Sequence, residues 1–261
     1  MGHERAGLLP KTRKWREIVG QIAVVRNESD VADLARQTTD LLRGQLRVVQ
    51  SDRGVQSAFE YLVILGRAAR YPEKAQDGLA AKGIQVSENP TPLNLVKALR
   101  DWVGRSGQSS EYGEIAIRAG SDAVCHWFEA NRTSQGALFE QRENAFDTWH
   151  GAASGAGFCE LARLFFSRFT ERYLNYYLER EASASAPSLD ARDALRRQLK
   201  AHVEDISSHA FETAKITQSF AAGWFNKGLA EQSVSGEEIQ AFLRVAFGKI
   251  RDELLRERGR V

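Results

Sequence analysis

Five histidines, two cysteines and an interleaved set of arginines and tyrosines are the residues of this chain whose chemistry is worth asking about. The histidines are His3, His126, His150, His202 and His209. His202 and His209 are seven residues apart, which on a helix is two turns and about 10 Å at the usual 1.5 Å rise. They share a face but cannot meet on one metal ion, because metal–ligand bonds are about 2 Å long. Asp205 stands four residues before His209, a spacing that orients a histidine without making a site. A metal would need carboxylates from a second helix, such as Glu160 or Glu171. HExxH, paired ExxH and CxxC are all absent. Cys125 and His126 are neighbours, so on a helix they point about 100° apart. Catalytic Cys–His pairs come from separate segments of chain. Ala153-Ser154-Gly155 lacks the first glycine of GxSxG. No catalytic residue, metal ligand or cofactor is therefore assigned.

The stretch GAASGAG (151–157) has a GxG but neither the third glycine of GxGxxG nor the Lys-Ser/Thr of a P-loop. Its small residues suit a tight junction or hinge between helices. Basic chemistry is better represented. Arg163, Arg168, Arg172 and Arg180 alternate with Phe166, Tyr173, Tyr176 and Tyr177, and Arg192, Arg196 and Lys200 follow at steps of four. Arginine suits phosphate and tyrosine suits base stacking. With Arg13 and Lys14 of a basic N-terminal arm, Arg163, Arg168, Arg172, Tyr173, Tyr177, Arg180, Arg192, Arg196 and Lys200 form a candidate nucleic-acid set. Against it, Glu171, Glu179, Glu181, Asp190 and Asp193 are interspersed and can form ordinary helical ion pairs. Aromatic stripes at helical spacing are also usual in cores. A second candidate surface lies in HAFETAKITQSFAAGWFNK (209–227). Phe211, Phe220, Trp224 and Phe225 occupy more than one side of that helix, which marks a central helix or a partner contact.

The elements that must position these residues are helical. Leu199, Val203, Ile206, Ala210, Thr213, Thr217, Phe220 and Trp224 recur at steps of four and three. Phe158, Leu161, Phe165, Phe169, Tyr173 and Tyr176 do the same, so two long amphipathic helices are expected around the linker SASAPSLD (183–190). Val31, Leu34, Thr38, Leu41, Gln45 and Val48 predict one helix over 30–49, with Asn27 or Ser29 as its cap. Ser51 or Asp52 caps the next, in which LVIL (62–65) reads as buried helix. A short helix over 73–81 ends at Gly83, 84–92 is irregular, and a helix carrying Leu93, Val96, Leu99, Trp102 and Val103 ends in GRSGQSS (104–110). Ile115, Ala119, Ala123 and Trp127 mark a helix over 111–130, and a shorter one is expected over 137–149. Ile239, Leu243, Ala246, Ile250 and Leu254 mark the last helix, opened by the capping box Ser235–Glu238.

No period-two pattern persists, so the class is all-α: a multi-helix bundle of about nine helices with two long C-terminal ones. The glycine-rich stretch suggests a boundary, with an N-terminal helical domain over 1–150 and a C-terminal bundle over 151–261. Lys and Arg number 36 against 34 Asp and Glu, and both halves are balanced, so bulk charge argues for no nucleic-acid or membrane partner. Two isolated cysteines make no disulfide framework and fit a reducing, cytoplasmic setting. Neither a signal peptide nor a run of about 18 apolar residues is visible.

FTERYLNYYLERE (169–181) and HAFETAKITQSFAAGWFNK (209–227) resemble parts of uncharacterised all-helical accessory subunits of bacterial anti-phage defence gene clusters. The resemblance implies a subunit working beside an ATPase, helicase or nuclease. It transfers no catalytic residues. The expectation is a non-catalytic helical interaction subunit of a multi-protein bacterial complex. A nucleic-acid-binding helical protein is the alternative, and a metal- or Cys/His-dependent enzyme the third reading.

Overall fold

The computed structural model of the 261-residue chain describes residues 10–87, 89–105, 110–131, 146–185, 187–212, 221–227 and 234–256, with the side chains of 179–185 and 209–212 outside that description. The described residues form helices and no strand. In chain order these are α1 (Arg13–Ile22), α2 (Glu28–Leu41), α3 (Arg43–Ser51), α4 (Arg53–Ala68), α5 (Ala75–Ala81), α6 (Pro92–Gly104), α7 (Glu111–Asn131), α8 (Asp147–His150), α9 (Gly155–Ser185), α10 (Leu189–Glu212), α11 (221–227) and α12 (Gly236–Arg256). Single 3-10 turns at Pro72–Lys74 and Gly151–Ala153 lead into α5 and α9. No described helix is long and apolar enough to cross a membrane.

Local chemistry sets most helix ends. Asn27 accepts the Asp30 N–H at 3.0 Å while Asp30 returns a carboxylate to the Asn27 N–H, a reciprocal cap on α2. Asp52 accepts the Val55 N–H at 3.0 Å and starts α4. Ser235 and Glu238 cap α12 reciprocally, as their spacing predicts.

One expected helix is two. The predicted 30–49 helix breaks at Leu42, whose carbonyl accepts the N–H groups of both Gln45 and Leu46. The break shifts the apolar face by one residue. Leu42, Leu46 and Val49 turn inward, and Val48, expected on the buried stripe, is 58% exposed. This break, with the short α8, carries the helix count past about nine. Only residues 146–149 of the expected 137–149 helix lie within the described residues.

The larger departure concerns α9. The sequence suggests an amphipathic helix, yet between Phe158 and Leu178 nearly every side chain is buried. Helices α7, α10, α4, α1 and α2 all pack against it. A helix covered on several sides has no solvent stripe, so α9 is the axis of the bundle and not one half of a surface pair. Its polar residues Ser167, Thr170, Glu171 and Asn175 are enclosed with the rest. Helix α10 keeps the expected stripe, burying Leu195, Leu199, Val203 and Ile206. Only three residues separate α9 from α10, so much of the expected linker is helix.

The buried apolar residues form one continuous cluster that draws on both sides of residue 150. At its centre Phe59 of α4 meets Phe166 at 5.3 Å, Phe165 at 5.6 Å, Phe158 at 6.1 Å and Phe242 at 5.0 Å between ring centroids. The glycine-rich stretch is a packed corner inside this arrangement. Ser154 accepts the Gly157 N–H at 3.0 Å and donates to the Gly151 carbonyl at 2.8 Å, which closes the turn onto the start of α9.

Candidate functional sites: an apolar groove and a polar cleft

Helix α4 leaves part of one face uncovered. Glu60, Val63, Ile64, Arg67 and Ala68 stand at helical steps along it and line a cavity of about 590 Å³. Lys74, Asp77, Gly78 and Lys82, from the turn into α5 and from its length and end, form a second wall. Trp102 of α6, Tyr71 and Val234 complete the lining. The α5 wall ends where it does because Gly83 adopts φ of 78°. That left-handed residue lets the Ile84 N–H reach the Leu79 carbonyl at 2.9 Å and the Gly83 N–H reach Ala80 at 2.7 Å, a Schellman close. Arg105 ties this turn to α6. It donates to the Gly83 carbonyl at 2.7 Å, and its guanidinium lies 5.0 Å from the Trp102 ring centroid. Tyr71 is 57% exposed at the groove edge. Burial pushes the Glu60 carboxyl above the usual range, with Lys82 pulling it down.

A smaller cleft, of about 300 Å³, opens between α7, α9 and α10. Glu111, Glu114, Ile115 and Arg118 line it from α7, Glu171, Arg172, Asn175 and Tyr176 from α9, and Arg196 from α10. Tyr176 donates to Glu111, and Arg172 holds Asp122 at 2.5 Å. Glu171 is only 9% exposed. Burial lifts its carboxyl above the usual range, while Arg172, Arg168 and Lys200 pull the other way. A carboxyl raised in the folded state stabilises fully at acid pH and loses that contribution as pH rises through its folded value. Glu171→Gln is therefore expected to be the more stable protein near pH 7, with the advantage shrinking toward about pH 4. Urea midpoints at both pH values check this. A variant weaker than wild type near pH 7 would mean that the surrounding cations outweigh burial.

The candidate nucleic-acid residues divide in this fold. Arg172 and Arg196 reach the cleft, where Arg118, unremarked in the sequence, joins them. Three acids line the same cleft, so its charge is compensated. Arg163 binds Glu160 at 2.5 Å and Ser208 at 3.2 Å. Arg168 is buried beside Glu171 and Glu204. Arg13 pairs with Glu17, Lys14 with Asp40, and Arg192 lies 3.9 Å from Asp193. Arg196 and Lys200 are exposed on α10. Tyr173 and Tyr177 are core residues, at 2% and 0% exposure, and present no stacking face. Tyr177 donates to Gln45, and its ring stands 5.3 Å from that of Tyr173. The Arg180 side chain lies outside the described residues.

The candidate partner surface on 209–227 also turns inward where it is described. Phe225 is fully buried and stacks on Phe158 at 4.1 Å. Trp224 lies 4.7 Å from Phe242. Both rings pack over the start of α9, Phe225 fully and Trp224 partly buried. Phe220 and the side chain of Phe211 lie outside the described residues.

Comparison with family models, with curated proteins and with solved structures found no match. Among the described residues, no three His, Cys, Asp or Glu side chains group as a metal site. Burial, joined by nearby carboxylates, pushes both the Cys125 and the Cys159 thiol up, away from the reactive thiolate. His150 sits with Nδ1 3.3 Å from the Ala69 carbonyl, a structural contact beneath α4. The groove itself left a trace in the sequence. Glu60, Ile64, Arg67 and Ala68 share a helical face that mixes charge with apolar surface, although only the fold joins them to Trp102.

Proposed function

We propose that this chain is a non-catalytic helical interaction subunit of a multi-protein complex, and that its partner docks in the groove between α4, α5 and α6. One observation carries the reading: Tyr71, Trp102 and Arg67 gather with Val63, Ile64 and Ala68 around a single concavity. Tyrosine, tryptophan and arginine are the residue types that dominate contact energies when they surround an apolar pocket. The charged rim of Glu60, Lys74, Asp77 and Lys82 has the polar-edge anatomy of a protein interface. The resemblance of 169–181 and 209–227 to defence-cluster subunits makes a nuclease, helicase or ATPase the first partner to look for.

The test compares proteins retained from the native host by the full chain and by a Tyr71→Glu/Lys82→Glu variant. Both positions are exposed, so the fold should tolerate the changes. At least one protein retained by the wild type should fall about tenfold with the variant, the loss expected from about 1.4 kcal/mol of binding. A Leu93→Ser control, altering a residue 76% exposed outside the groove lining, should retain it. If every retained protein is indifferent to the groove variant, the groove is not the interaction site.

A further inference from the structure

The groove is asymmetric in charge. Arg67, Lys74 and Lys82 line it against Glu60 and Asp77. Lys74 and Lys82 are exposed and make no salt bridge within 4.0 Å among the described residues, although Lys82 lies near enough to Glu60 to pull its carboxyl down. Their ammonium groups stand at the rim of an apolar cavity, where an incoming carboxylate is only partly screened by water. Trp102 supplies an aromatic wall to the cavity. The ring is held in place, because Arg105 lies over it while bonded to Gly83. The volume of about 590 Å³ is enough for a few large apolar side chains, and not for a whole helix.

We propose that the occupant is an acidic amphipathic segment of a partner protein. It seats its apolar ridge against Val63, Ile64, Ala68 and the Trp102 ring and sets carboxylates toward Lys74 and Lys82. The inference rests on the groove being the interaction site, and it names the chemistry that site selects.

Two fluorescent synthetic peptides test it on the full chain by anisotropy. They share one leucine–phenylalanine ridge and differ only in carrying glutamates or lysines on the flanks. The glutamate peptide is expected to bind about tenfold more tightly, with affinity falling as salt rises. Lys74→Glu/Lys82→Glu should reverse the preference. Equal binding of the two peptides, or a preference untouched by the double reversal, overturns the proposal. Binding of decanoate with neither peptide bound also overturns it, in favour of a small amphiphilic acid. If neither peptide binds but the Tyr71→Glu/Lys82→Glu variant still loses a host protein, the acidic-segment inference fails while the groove stands. If that variant loses nothing, the groove itself falls.

Discussion

Phe59→Ala is expected to destabilise the protein by about 3–5 kcal/mol, the range for removing a fully buried aromatic ring. Phe59 is completely enclosed, and its ring lies within 6.3 Å of those of Phe158, Phe165, Phe166, Trp224 and Phe242. These neighbours come from α9, α11 and α12, all beyond residue 150, whereas Phe59 belongs to α4. The cavity left by the ring cannot collapse easily, because every surrounding group is itself a rigid ring held by another helix. The consequence reaches past the magnitude. If residues 1–150 and 151–261 melt as one unit, the substitution should move a single transition seen alike by far-ultraviolet circular dichroism and tryptophan fluorescence. A loss below about 1 kcal/mol, or a shift confined to one of two separable transitions, would show that the shared aromatic cluster does not couple the two halves.

Gly157→Ala is expected to cost about 3 kcal/mol despite alanine's better helix propensity. A Cβ at position 157 would lie 2.0 Å from the Gly151 carbonyl oxygen and 2.7 Å from its carbonyl carbon. Those are backbone atoms of the 3-10 turn, so no side chain can swing aside. Moving the turn would disturb Ala152, whose carbonyl lies against Gly66 of α4. Alanine's propensity gain of about 1 kcal/mol is too small to offset that displacement. Gly248→Ala supplies the opposite sign. Nothing lies within 4 Å of a Cβ built there, in the middle of α12. It should therefore stabilise by about 0.5–1 kcal/mol. Urea midpoints of the two variants, at an unchanged slope, decide the matter. A neutral Gly157→Ala would mean that the corner relaxes freely and is no packed junction.

These two expectations show where sequence reading is sharp and where it stops. The small residues of GAASGAG reveal that backbones come close, but either a hinge or a packed corner needs small residues. The bonds of Ser154 to Gly151 and Gly157 distinguish them. The Arg/Tyr alternation of α9 is a similar case. Its spacing fits a nucleic-acid face or a core stripe equally well, and the tyrosines are enclosed because α7 and the Gln45 side chain lie over them. The arginines of the same helix find carboxylates one turn away on α9 and, far away in sequence, on α7 and α10.

By itself the sequence determined what is local: the all-α class, the cap at Ser235, caps narrowed to Asn27 or Ser29 and to Ser51 or Asp52, the stop at Gly83, and the buried faces of α10 and α12. Each depends on side chains within one or two turns of one another, and that separation is visible along the chain. Tertiary structure alone decided that α9 is enclosed on nearly every side, that the 30–49 helix breaks at Leu42, and that Trp102 stands across a cavity from Glu60 and Ile64. Periodicity reports which side chains avoid water. It does not report which neighbour covers them, and a groove is the place where a neighbour covers them incompletely.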